Sequence, residues 1–170
     1  MRRNTAIAYR EPADSDQRQS AELSWPSFRA AEGDKRLDHF VHQEGKVFAG
    51  THLILDLWGA TRLDDLTLME QALRRCVAEA EATLLHIHLH HFTPNGGISG
   101  VAVLAESHIS VHTWPERDYA AFDVFMCGDA KPERCEPVLA ETFVPDRIVV
   151  NRHLRGVVET PSDGTGYLTL

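Results

Sequence analysis

Ile-Ser-Gly-Val-Ala-Val-Leu-Ala-Glu-Ser-His-Ile-Ser-Val-His-Thr-Trp-Pro-Glu, residues 98–116, carries the clearest structural reading in the chain. Val101 to Ala105 is a short apolar run of strand type that leads directly into Glu106-Ser107-His108. A second strand-like alternation follows. Strands are therefore expected from about Ile98 to Ala105 and from His108 to Thr113. A further strand is expected from Tyr119 to Cys127, where Tyr119, Ala121, Asp123, Phe125 and Cys127 share one face.

Working outward, Pro94-Asn95-Gly96-Gly97 reads as a turn. Before it, Thr83 to Phe92 reads as a strand with Leu85, Ile87 and Leu89 on one face and His86, His88 and His90 on the other. Leu66, Met69, Leu73, Cys76, Val77 and Ala80 recur at helical spacing, which predicts an amphipathic helix from about Asp65 to Glu81 capped by Asp64. The folded core is expected to start near Ala49, with Leu53, Leu55 and Leu57 alternating against His52, Ile54 and Asp56 until Gly59. Downstream, a helix is expected over residues 132–143, with Pro137 making it begin late or bend. A last strand covers Arg147 to His153. Strand, helix, several strands, helix, strand (β-α-β-β-β-α-β) predicts an α+β two-layer sandwich, a mainly antiparallel sheet with helices on one face.

The length suits one domain with a substantial core. Residues 1–48 are polar and read as a disordered extension, 49–160 as the folded domain and 161–170 as a loose tail. A formal charge of −8 argues against a nucleic-acid partner and tolerates a cationic ligand. No apolar run has the length to span a bilayer, so no membrane role is expected. Arg2 and Arg3 are followed by no apolar segment of secretory type. Cys76, Cys127 and Cys135 form no Cys-x-x-Cys pair, and their odd number fits a reducing, cytoplasmic setting better than a disulfide framework. Cys76 falls on the apolar face of its helix and reads as core.

The stretch from residue 90 to 128 closely resembles the self-processing region of the short prokaryotic S-adenosylmethionine decarboxylases. The resemblance rests on Ser99, Glu106-Ser107-His108, His112-Thr113-Trp114-Pro115-Glu116, Tyr119-Ala120-Ala121 and Cys127-Gly128. It is looser over 49–89 and over Arg147 to Gly156, and it does not cover residues 1–48. It implies a pyruvoyl-dependent enzyme that releases CO2 from S-adenosylmethionine and so supplies the aminopropyl donor for spermidine.

Decarboxylation of an amino acid leaves an α-carbanion, which an electrophilic carbonyl joined to the substrate amine can stabilise. In the family that carbonyl is made from a serine. The serine hydroxyl attacks the preceding carbonyl, the peptide becomes an ester, β-elimination leaves dehydroalanine, and hydrolysis releases ammonia. The resemblance assigns the pyruvoyl precursor to Ser107 and the cut to the Glu106–Ser107 bond. It assigns Ser99 and His112 to processing, Cys127 to donating the proton after CO2 leaves, Glu116 to the ribose hydroxyls and Phe92 to the adenine. A homodimer of processed protomers, with sites near the interface, is implied as well. The turn at Thr93 to Gly97 is one residue longer than in many relatives.

Two same-fold alternatives are a pyruvoyl decarboxylase acting on arginine or ornithine and an unprocessed partner subunit. His86, His88 and His90 share a strand face, which invites a metal. Alternate residues on a strand lie about 7 Å apart, however, which strains a single-ion site, so no metal is expected.

Overall fold

The computed structural model describes residues 40–158, so the expected extension up to residue 39 and the tail from 161 onward lie outside the described residues. The elements run β1 (Val41–Gln43), β2 (Lys46–Phe48), β3 (Gly50–Trp58), α1 (Leu66–Glu79), β4 (Leu84–His91), β5 (Ile98–Leu104), β6 (Ser107–Trp114), β7 (Tyr119–Met126), α2 (Cys135–Phe143) and β8 (Arg147–Arg155). Strands β3 to β8 make one six-stranded sheet in the order β4-β5-β6-β7-β3-β8. Every neighbouring pair in it is antiparallel. Strand β3, from the first half of the chain, is hydrogen-bonded on both sides by strands of the second half.

Alternation builds the two faces. Leu53, Leu55 and Leu57 of β3 and Ala120, Phe122, Val124 and Met126 of β7 are buried. They join Met69, Leu73 and Val77 of α1 and Val138, Leu139 and Phe143 of α2 in one core. Burial of each large side chain contributes about 1.5–3 kcal/mol, so this face holds the fold together. Thr113, also buried, accepts from Ile98 N at 2.7 Å and donates to Leu63 O at 2.9 Å, which leaves no orphaned hydroxyl in the core. The opposite face carries His52, Asp56, Ser110, His112, Tyr119 and Asp123, and no helix covers it among the described residues.

The α+β sandwich follows the expectation, with four corrections. The order β-α-β-β-β-α-β is one strand short: all four strands expected between residues 83 and 127 form, so four lie between the helices. The helix cap is Asp65, not Asp64: its extended backbone lets Oδ1 accept from Leu68 N at 2.9 Å, and Leu66 at the first position is left exposed. Leu85 does not face the core with Ile87 and Leu89. A register shift between Leu84 and His86 turns Leu84 inward and leaves Leu85 63% exposed. Finally, order begins before Ala49. Glu44 and Gly45 take the two positive φ values, 52° and 74°, that a tight two-residue hairpin turn requires, so β1 pairs with β2 and buries Phe48. Pro137 is accommodated because the α-helix starts at Cys135, after a 3₁₀ turn at Pro132–Arg134, which places the proline in the first turn, where no backbone donor is needed. No helix among the described residues is long and apolar enough to cross a membrane.

Leu55 is fully buried on β3, the first-half strand held between β7 and β8 of the second half. Leu55→Ala is expected to lower stability by about 2–5 kcal/mol, read as a shift of the urea midpoint. A change within measurement error would show that β3 does not bear the core.

Candidate active site

Strands β5 and β6 are joined by only Ala105 and Glu106, with Leu104 paired to Ser107. Glu106 closes this turn in the left-handed region at φ 62°. For a residue with a Cβ that conformation costs about 1–2 kcal/mol, so the backbone immediately before Ser107 is strained. Ser107 is half-buried, and its Oγ accepts from Cys127 N at 3.2 Å. The turn and the end of β7 thus place Glu106, Ser107 and Cys127 together. Burial, then the nearby Glu106 carboxylate, push the Cys127 thiol above its ordinary value. It therefore keeps its proton at neutral pH, which suits a donor rather than a nucleophile.

A second group lies at the other end of β6. Ser99 and His112 are cross-strand partners, and Ser99 Oγ lies 2.7 Å from His112 Nδ1. They line a cavity of about 200 Å³ with Phe92, Asn95, Trp114 and Glu116. Glu116 reaches it from the 3₁₀ turn after β6, and Phe92, 47% exposed, stands edge-on to His90 at 4.5 Å.

The predicted residues therefore fall into two groups. Ser107 and His112 are five positions apart on one strand, which separates them by about 17 Å. Within one chain Ser107, Glu106 and Cys127 meet each other, and Ser99, His112, Glu116 and Phe92 meet each other, but the two sets do not meet.

Sequence reading missed a third cluster between them. His52 lies 3.4 Å from Asp123 and 3.2 Å from Arg155 Nη1, and its ring is edge-on to Phe125 and His108. Ser110 donates to Asp123 at 3.1 Å. His52 Nε2 is sealed from solvent without a well-directed hydrogen bond. Burial lowers the His52 pKa, with Asp123 opposing and Arg155 assisting. Beside it Tyr119 donates to Asp56, and burial and that carboxylate push the phenol up to about 12. Tyr119 also stacks between Trp58 and Trp114, with ring centroids 4.4 and 5.3 Å away. Strand parity puts these residues on one face, but only the register across β3, β6 and β7 brings them into contact.

His86, His88 and His90 face out beside Val103, Val101 and Ser99. Among the described residues no three His, Cys, Asp or Glu side chains gather in a way that could hold a metal ion.

The fold and the comparisons with known proteins define the class first: this α+β sandwich is a decarboxylase. The family model described as S-adenosylmethionine decarboxylase matches residues 51–156, and the chain belongs to that family. The S-adenosylmethionine decarboxylase proenzyme of Thermomicrobium roseum is 46% identical over 110 residues, which cover 64% of this chain and 95% of the relative. That of Methanococcus vannielii is 47% identical over 113 residues, covering 65% and 92%. The solved adenosylmethionine decarboxylase of Aquifex aeolicus superposes with a TM-score of 0.60 at 35% identity, covering 68% of this chain and 98% of that one.

The raised thiol has a chemical signature. In Ser107→Ala protein, Cys127 is expected to react with iodoacetamide several-fold more slowly at pH 7 than a free cysteine, because less of it is thiolate. Reactivity should climb as pH rises, and Glu106→Gln should accelerate it by removing the neighbouring charge. Mass-resolved labelling of Cys127 checks this, and a rate at or above that of a free thiol refutes the assignment.

Proposed function

We propose that this chain is a proenzyme that cuts itself between Glu106 and Ser107, converts Ser107 into a pyruvoyl group and decarboxylates S-adenosylmethionine to the aminopropyl donor of spermidine biosynthesis. The observation that carries the reading is the left-handed Glu106 immediately before Ser107, with the Cys127 backbone amide on the serine oxygen.

The residues present fit the group. Ser107 Oγ attacks the Glu106 carbonyl carbon, the Glu106–Ser107 C–N bond breaks, and the new ester leaves the Ser107 amine free. Loss of the Ser107 α-proton and of the new main-chain α-carboxylate of Glu106 then opens the chain and leaves dehydroalanine, whose nitrogen water replaces, releasing ammonia. When present, the pyruvoyl carbonyl draws off the electrons left by departing CO2. Cys127, holding its proton, returns it to the substrate carbon. Glu116 accepts from the ribose hydroxyls, and Phe92 offers a face to the adenine.

The reading includes a homodimer with shared sites. His112, hydrogen-bonded to Ser99, is suited to polarise the carbonyl or move the proton during processing, but it stands about 17 Å along the strand from its own Ser107. A two-fold axis across the open sheet face brings the Ser107 end of one copy against the His112 end of the other, and each copy completes the other's site. Size supports this: the 200 Å³ cavity of one chain is smaller than the roughly 300–1,000 Å³ of sites that enclose a ligand. A cytoplasmic location belongs to the same reading, because a cysteine that donates protons must stay reduced.

Denaturing electrophoresis of wild-type protein should show two pieces, residues 1–106 and 107–170, the second resistant to Edman sequencing. Ser107→Ala should remain whole and inactive. A single uncut wild-type chain refutes the reading, and CO2 release from arginine or ornithine but not S-adenosylmethionine redirects the substrate.

Ser107→Ala and His112→Ala, each inactive alone, should recover about a quarter of wild-type activity when co-expressed, since half the dimers are mixed and each mixed dimer keeps one intact site. No recovery above either variant alone counts against shared sites.

A further inference from the structure

We propose that Cys76 and Cys135 are a disulfide-forming pair whose bond, in the processed protein, ties the two fragments together. Cys76 lies on α1 and Cys135 opens α2, 59 positions away, and both are buried in the seam between the helices. The contact is reciprocal. Cys76 Sγ lies 3.8 Å from the Cys135 carbonyl oxygen, and Cys135 Sγ lies 3.7 Å from that of Cys76. Each sulfur thus lies against the other cysteine's backbone, a reciprocal contact that makes the two residues close neighbours across the seam, as a disulfide, with Cα atoms typically about 4.4–6.8 Å apart, requires. Hydrogen bonding with Cys135, then burial, raise the Cys76 thiol well above its ordinary range. Cys127, the remaining cysteine, stands with Ser107 instead.

The placement has a consequence that rests on the self-cleavage proposed above. Cys76 belongs to residues 1–106 and Cys135 to residues 107–170, so the bond crosses the cut. The oxidant is a low-molecular-weight disulfide, RSSR. One cysteine thiolate attacks a sulfur of RSSR and expels RS⁻. The second cysteine thiolate then attacks the mixed disulfide at the protein sulfur and expels a second RS⁻. Both cysteine protons end on the departing thiolates, giving two RSH, and the two electrons lost by the cysteines reduce the oxidant. Burial and the raised thiol make this slow in the closed seam and faster when the helices part. The pair is a reversible clasp, not a permanent framework.

The test uses purified full-length chain treated with excess oxidised glutathione, in buffer and in urea just below the unfolding transition. On non-reducing denaturing gels the two fragments should merge into one species of near full-length mass, which reductant separates again. Cys127→Ser should still merge, whereas Cys76→Ser and Cys135→Ser should not. Merging should also weaken the dependence of the urea midpoint on protein concentration, because the assembly then comes apart into two chains rather than four. If wild type is never cut, peptide mapping reads the pair instead: a linked Cys76–Cys135 peptide supports the clasp while the cleavage reading fails. Fragments that stay separate under both conditions, or an uncut chain without the linked peptide, overturn the proposal.

Discussion

Strand β3 is held between β7 and β8, and the sheet cannot close without it. This insertion threads the first half of the chain into the second. Its inner face brings Leu53, Leu55 and Leu57 into the core shared with both helices. A chain that surrenders a backbone bond between β5 and β6 still has three interstrand seams joining its halves, β5 with β6, β3 with β7 and β3 with β8. Ion pairs of Arg75 with Glu141, and of Lys131 and Arg134 with Glu81, cross the same divide at the surface. They are exposed and contribute little beside the buried strand.

Sheet polarity separates stability from chemistry. One face is apolar and covered by helices. The other carries histidines, carboxylates, hydroxyls and aromatic rings and is left open. That division allows the chemical face to carry a desolvated imidazole such as His52, and the turn at the sheet's end a strained residue such as Glu106, without disturbing the core. It also spreads the predicted site residues over the length of one strand, farther than any one side chain can reach.

Much of this was legible in the residues themselves. Period-two alternation in β3 and β7 and the helical spacing of α1 are local patterns, and the structure repeats them. The misreadings arise where local pattern is not sufficient. Leu85 looks like its neighbours until a bulge turns it outward, and Asp64 and Asp65 cannot be distinguished as caps by type. The β1–β2 hairpin has few apolar residues and owes its order to Phe48 and to pairing of Val47 with Val158, a contact far along the chain. The Ser107, His112 and Cys127 set was recognisable by resemblance, but its division into two groups is a matter of register and distance. The His52–Asp123–Ser110 cluster needed three strands in register before it existed at all.

Trp58 and Trp114, two of the three tryptophans in the chain, sandwich Tyr119 at the His112 end of the open face. Indole emission depends on what lies against the ring. The protein therefore carries its own optical gauge there: a purine or a neighbouring subunit settling on that surface changes the light the molecule gives off, with no label attached.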